Sequence, residues 1–230
     1  MKKVLITGGN KGIGLACTRI FLERGFEVIV TARDGSFQKD VQGVTFIELD
    51  LSKPERIPEF AAKVGPIDVL VNNAGVMNSL PYDNYPQEKM RYLMAINLES
   101  PVALIREFAK SMIEKGSGRI VNVGSVAGHT GQPDVWYAIS KAGIMNATKS
   151  LAKLLGPKGI VVNAVAPGPV NTEMLEKVPR ERKKQILNTT MLHRPAEPWE
   201  VAKSIYWLAT ESPEYINGIT IDINNGAYLR

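Results

Sequence analysis

Thr7-Gly8-Gly9-Asn10-Lys11-Gly12-Ile13-Gly14 follows a short apolar run, Lys3 to Thr7, and opens a helical pattern near residues 12–24. Glycines at this junction permit a tight turn. They also let backbone N–H groups approach an anion at the helix N-terminus, where orphan donors and the helix dipole favour negative charge. A plain strand-to-helix turn is the competing reading, but the first βα unit is where a dinucleotide-binding fold places its pyrophosphate turn. The spacing is Gly-x3-Gly-x-Gly, and no Gly-Lys-Ser/Thr ends it, so the stretch is not a P-loop.

Outward from this turn, apolar β-rich runs recur: Lys3 to Thr7, Glu27 to Thr31, Thr45 to Leu49, Asp68 to Val71, Arg119 to Val123, Ile160 to Val165 and Ile219 to Ile223. Several are apolar nearly throughout, which fits strands covered on both faces. Helical patterns fall between them near 12–24, 54–64, 86–115, 137–155 and 198–210. The alternation predicts an α/β fold, a single-domain doubly wound parallel seven-stranded sheet (Rossmann fold) flanked by helices, over residues 1–230. Only Arg33 to Val44 separates the second and third strands, too short for a full crossover helix beside Gly35 and Gly43. The late segment at 167–198 is irregular and long enough to form a substrate lid.

Composition narrows the function classes. The 230 residues are 44% apolar and 22% charged, ordinary globular usage that excludes disorder as the main state. Three apolar residues after Lys2-Lys3 do not make an export signal, and no run reaches a membrane span, so a soluble, cytoplasmic protein is expected. One cysteine, Cys17, excludes an internal disulfide framework, and two scattered histidines, His129 and His193, argue against a metal site. A net charge of +5 with one dense basic run, Arg180 to Lys184, and no aromatic–basic interleaving argues against nucleic acid as a partner.

Four polar groups interrupt this pattern. Tyr137 and Lys141 are four apart at the start of a helical stretch and so share a face. They are either a surface pair or an acid–base pair in which the ammonium lowers the phenol pKa from roughly 10. Ser125 follows the fifth strand, where open α/β sheets place ligands. It is either a turn serine or a donor to a developing oxyanion. Because Val123 stands two residues before it, no Gly-x-Ser-x-Gly elbow is present. Asn97 breaks an apolar helical run, as a satisfied buried polar residue or as a functional one.

Together with Asn72-Asn73-Ala74-Gly75 and Pro167-Gly168 with Thr172, these motifs stand in an order that resembles the short-chain dehydrogenase/reductase family. The resemblance runs from Thr7 to Asn224-Asn225-Gly226. It implies a catalytic set of Asn97, Ser125, Tyr137 and Lys141, with Asn97 holding a water in a proton relay and Lys141 reaching the nicotinamide ribose as well as tuning Tyr137. It further implies cofactor contacts from Gly8, Asn10, Lys11, Gly12, Ile13, Gly14, Asp50, Leu51, Asn73, Ala74, Gly75, Pro167, Gly168, Val170 and Thr172. At the end of the second strand an acid would select NAD, but Ala32 occupies that position and Arg33 follows. Arg33 and Lys11 are two cations for a 2′-phosphate, so NADP(H) is the expected cofactor. Asp34 is the one residue that argues for NAD.

The pocket wall is expected from His129, Pro133, Val135 and Trp136 and from Met174, Leu175, Met191 and Leu192, a lining suited to an apolar or acyl carbonyl compound. The tail from Val201-Ala202 through Tyr215-Ile216-Asn217-Gly218 to Asn225-Gly226-Ala227-Tyr228 is similar to that of the 3-oxoacyl-carrier-protein reductases of the family. An acyl-thioester substrate is therefore implied, with the Arg180 to Lys184 run facing an acidic acyl-carrier protein. Dehydrogenation of another secondary alcohol, or a non-catalytic NADP(H) sensor, is the alternative. Small residues along the helix after Tyr137, with the family pattern, imply a homodimer or homotetramer.

Overall fold

In the computed structural model, residues 1–33 and 41–230 are described; the Asp34 counter-argument and most of the connection from Arg33 to Val44 lie outside them. Seven parallel strands form one sheet: β1 (Lys3–Thr7), β2 (Glu27–Ala32), β3 (Val44–Glu48), β4 (Val69–Asn72), β5 (Gly118–Val123), β6 (Ile160–Pro167) and β7 (Thr220–Ile223). Their order is β3-β2-β1-β4-β5-β6-β7. The register pairs Thr7 with Thr31 on one side of β1 and Ile6 with Val71 on the other. Between β1 and β4 the winding reverses, and the crevice that this opens lies beyond the carboxyl ends of the strands.

The apolar runs explain why the sheet is buried on both faces. Side chains alternate across a strand, so Leu5, Leu70, Ile120 and Val162 enter one core with Ile57 and Phe60 of α2 (Ile57–Val64) and Leu104, Ile105 and Phe108 of α4. Val4, Ile6, Val71, Val121 and Val165 enter the other with Cys17 and Phe21 of α1 (Gly12–Glu23) and Val201, Ile205 and Leu208 of α9. Here α4 is Ser100–Lys115 and α9 is Pro198–Thr210. Each large apolar side chain buried this way contributes about 1.5–3 kcal/mol. Cys17 is fully buried, and burial pushes its thiol pKa up.

Three departures from the sequence pattern matter for the site. The helical run near 86–115 is α3 (Gln87–Met94) and α4 joined by a π-helical segment, Ala95–Glu99, centred on Asn97. Such wide turns reorient a side chain and are frequent at functional sites. The helix expected at 137–155 starts earlier, as α6 (Val135–Leu155), after a short α5 (Ala127–Thr130). The irregular 167–198 segment contains two helices, α7 (Glu173–Glu176) and α8 (Arg180–Asn188). A bridge between Val170 and Ala196 closes the base of this excursion, with Asn171 N–H donating to Ala196 O at 2.8 Å and Ala196 N–H to Pro169 O at 2.9 Å.

Candidate active site

The crevice is a cleft of about 940 Å³ running from the glycine turn to the start of α6. Gly8 and Gly12 have φ of +63° and +52°, and a Cβ on Gly14 would stand 2.1 Å from Gly8 O. No larger residue fits that last position without moving the turn. Behind it the first turn of α1 has neither a capping side chain nor an acidic residue. Its N–H groups are thus available to a pyrophosphate, and this donor set, the length of the cleft and the bare turn together fit a dinucleotide.

Of the expected cofactor residues, Gly8, Asn10, Lys11, Gly12, Ile13, Arg33, Asp50, Leu51, Asn73, Ala74, Gly75, Pro167, Gly168, Val170 and Thr172 line the cleft. Gly14 lies beneath the turn instead, where its bare Cα lets the helix close on the strand. The two cations already have partners. Arg33 donates from Nη1 to the Tyr92 hydroxyl, and Lys11 Nζ is 2.8 Å from Glu173 Oε2 of α7, across the cleft mouth. Asp50 lines the cleft beside Arg33. Burial pushes its carboxyl up, but hydrogen bonds from Ser52 outweigh this together with the charges of Lys53 and Arg33, leaving it below the usual range.

At the other end, Ser125, Tyr137 and Lys141 come together. Ser125, on the loop after β5, is buried and hydrogen-bonded to the Tyr137 side chain. Lys141 Nζ lies 5.8 Å from the centre of the Tyr137 ring and donates to Val123 O at 2.8 Å. One expectation is corrected here. The phenol is not lowered; burial pushes its pKa up, the Ser125 hydrogen bond pulls it down, and the Asp134 charge adds to the rise. The ammonium that was to lower it is itself buried, and burial lowers Lys141 to about 8. Desolvation of the phenol therefore sets the direction of its shift.

Asn97 does not line the cleft but supports it from behind. Its Oδ1 accepts from Val76 N at 2.8 Å, and its Nδ2 donates to Val76 O at 2.9 Å and to Ser140 Oγ at 3.1 Å. Both amide hydrogens are spent on protein partners. Next to it stands Gly75, where a Cβ would lie 3.2 Å from Lys141 Nζ and 3.4 Å from Asn97 Oδ1. A side chain there would press on both.

The expected pocket wall is corrected in part. Met174 and Leu175 line the cleft, as do Thr130, Gly131 and Gln132. His129 turns away, its Nε2 at 3.1 Å from Asp222 Oδ1 and its ring stacked on Tyr228. Trp136 packs with Leu93 and Ala127, while Val135 and Met191 are exposed and Leu192 borders a separate cavity of about 200 Å³. A helical start at Val135 rotates successive side chains by about 100°, so only Tyr137 of that stretch faces the cleft.

Sequence reading missed Asp134, Tyr92, Ser140 and Glu173. Asp134 had a signal: an Asp three residues before Tyr137 at the opening of a helical pattern is an N-cap. Its Oδ1 does accept from Tyr137 N at 3.2 Å. Tyr92 and Glu173 are joined to the site by long-range contacts that no local pattern announces, and Ser140 reaches Asn97 by one as well as donating to Tyr137 O at 2.7 Å within its own helix. Among the described residues, no group of three or more His, Cys, Asp or Glu is placed to hold a metal, and no helix is long and apolar enough to cross a membrane.

Residues 8–228 match a family model described as enoyl-(acyl carrier protein) reductase. The chain is 37% identical to the 3-oxoacyl-[acyl-carrier-protein] reductase FabG of Thermotoga maritima and 35% to that of Haemophilus influenzae, in both cases over 99% of this chain and 98% of the relative. It is 33% identical to the acetoacetyl-CoA reductase of Rhizobium meliloti, over 98% of each chain. Among solved structures it is similar to a short-chain dehydrogenase/reductase family protein at 30% identity, with a TM-score of 0.91 over 99% of this chain and 97% of that one. A Beutenbergia cavernae protein, assigned as an NAD(P)-dependent gluconate 5-dehydrogenase and holding NADP at low occupancy, superposes with a TM-score of 0.92 at 28% identity over 98% of this chain and 96% of that one. With fold, motif order and full-length similarity in agreement, this chain belongs to the short-chain dehydrogenase/reductase family of oxidoreductases.

Proposed function

We propose that the protein reduces a carbonyl to an alcohol with NADPH, and that its substrate is a 3-oxoacyl thioester. The observation that carries the reading is the meeting of Ser125, Tyr137 and Lys141 at one end of a cleft whose other end is a bare glycine turn. When bound, the cofactor supplies the hydride; the rest is the work of this chain's residues. Gly8, Gly12 and the uncapped start of α1 receive the pyrophosphate. Arg33, beside Asp50 and with Ala32 in the place of a selective acid, receives the 2′-phosphate. Pro167 to Thr172 cover the nicotinamide side.

Ser125 donates to the carbonyl oxygen and fixes it beside the phenol. Tyr137, kept protonated by burial, holds the proton that this oxygen takes up. Lys141, with a pKa brought to about 8, is a proton source at neutral pH within the same buried pocket. Asn97 fixes Val76 and the adjacent Gly75 against Lys141.

Thioester chemistry is supported by the names of the relatives, which act on 3-oxoacyl-carrier-protein and acetoacetyl-CoA substrates. It is also supported by α8, which buries no residue and carries Arg180, Arg182, Lys183 and Lys184 for an acidic carrier. Exposed Val102 of α4 and Ile139 of α6 support association of copies of the chain. The gluconate dehydrogenase assigned to one structural neighbour favours a second reading, oxidation of another secondary alcohol. The test is NADPH and NADH consumption against 3-oxoacyl thioesters, diketones and aromatic aldehydes. Thioester turnover with NADPH is expected. Turnover confined to other carbonyls moves the substrate to the second reading, and tight NADPH binding without turnover on any carbonyl overturns the enzymatic assignment of these residues.

A further inference from the structure

We infer that Asp134 is a positioning residue: its one buried carboxylate ties the start of the helix carrying Tyr137 and Lys141 to the turn at Asn78 and Ser79, holding proton donor and facing wall as a unit. This rests on the function proposed above. Asp134 is 3% exposed, and an isolated buried carboxylate is costly unless several donors satisfy it. A helix cap uses one oxygen, and Oδ1 serves as that cap by accepting from Tyr137 N. Oδ2 is spent elsewhere, accepting from Asn78 N at 2.9 Å and Ser79 N at 2.8 Å, more than fifty residues away in the chain.

Asn78 Nδ2 also donates to Tyr85 Oη at 2.9 Å, and burial, with the nearby Asp134 charge, pushes the Tyr85 phenol up. The turn that the Asp134 carboxylate holds is strained, since Ser79 has φ of +55°, a conformation that costs a non-glycine residue about 1 kcal/mol or more and persists only where surroundings enforce it. Met77 and Asn78 of this turn line the cleft with Tyr137. One carboxylate therefore fixes three things at once: the register of α6, the strained turn and the wall against which a substrate carbonyl is aligned.

Its charge acts on the phenol as well. The polar and ionisable groups around Tyr137 are Ser125 from the loop after β5, Lys141 from its own helix and Asp134 at that helix's cap, with Tyr85 on the far side of the carboxylate. Lys177 and Arg182 of the lid line the same cleft. Burial does most to keep the proton on Tyr137, and the negative charge of Asp134 adds to it.

The decisive variant is Asp134→Ser, because serine caps a helix as well as aspartate does but offers a single oxygen and no charge. Thermal stability should fall, because the N–H groups of Asn78 and Ser79 lose their charged acceptor, while NADPH affinity stays close to wild type and kcat falls by roughly ten- to a hundredfold, the scale of a small misplacement of reacting groups. Amide hydrogen exchange at Asn78 and Ser79 should accelerate, a readout that needs no turnover. Asp134→Asn keeps the size and the cap; without the negative charge, the alkaline limb of carbonyl reduction should move to lower pH. If Asp134→Ser retains wild-type kcat and slow exchange at Asn78 and Ser79, Asp134 is a helix cap only. An unmoved alkaline limb in Asp134→Asn overturns the electrostatic part. Exchange that accelerates in a protein whose Tyr137→Phe form still turns over leaves the tie standing and removes the proposed function beneath it.

Discussion

Helices α6 and α8 line one cleft and are built on opposite terms. Helix α6 buries Tyr137, Ser140, Lys141, Ile144, Met145 and Thr148, whereas α8, Arg-Glu-Arg-Lys-Lys-Gln-Ile-Leu-Asn, buries nothing. Acid–base chemistry needs groups held within a few tenths of an ångström, and only packing on a sheet supplies that. Substrate selection needs a surface that opens, and elements with few buried contacts supply that. The proposed site is thus a well-packed floor beside a segment tied at its base by the Val170–Ala196 bridge and at its edge by the Lys11–Glu173 pair.

Damage to the floor should show first in rate. Ser125→Ala removes the donor to the carbonyl oxygen and should lower kcat by about 10²–10³ with NADPH binding retained, as read by fluorescence titration. A smaller effect is expected at the adenosine end. Arg33→Asp replaces a charge-assisted contact with repulsion and should shift the kcat/KM ratio from NADPH towards NADH by roughly ten- to a hundredfold. An unchanged ratio would take the 2′-phosphate away from Arg33.

The third change separates function from stability. The folded-state pKa of Lys141, about 8, lies below its ordinary 10.5, so at pH 6–7 the fold bears the cost of a buried ammonium. Lys141→Met should abolish turnover yet raise stability by about 1–3 kcal/mol at pH 6–7, measured by thermal unfolding. The gain should begin to shrink as pH rises past about 8, where the folded lysine sheds its proton, and should vanish only above the ordinary 10.5, where the unfolded chain sheds it too. The smallest effect belongs to the lid. Arg182→Ala should leave stability within about 0.5 kcal/mol and act on KM for a carrier-bound thioester, not on kcat.

The same contrast explains what was legible in the sequence. Strands such as Val69–Asn72 and the glycine turn are local patterns, and local patterns suffice where period and turn chemistry agree. The Tyr137, Lys141 and Ser125 cluster was legible because strand ends in this topology converge on the crevice. Its electrostatics were not, because the balance of burial against charge on Tyr137 depends on how deeply Lys141 itself is enclosed. The pocket wall was half legible for a related reason: the helix beginning at Val135 turns Val135 and Trp136 away from the cleft, and long-range contacts with Asp222 and Tyr228 do the same for His129. Asp134 carried a cap signal, but its second oxygen reaches a turn that no local rule connects to it.

The proposed function turns on Tyr137 as the proton donor to a carbonyl held on this floor. The most direct test is NADPH oxidation by wild type and Tyr137→Phe with a 3-oxoacyl thioester, with NADPH affinity and unfolding measured on the same preparations. A folded variant that binds NADPH normally and turns over at least about a hundredfold more slowly is expected. A folded Tyr137→Phe protein that reduces the thioester at the wild-type rate would contradict it.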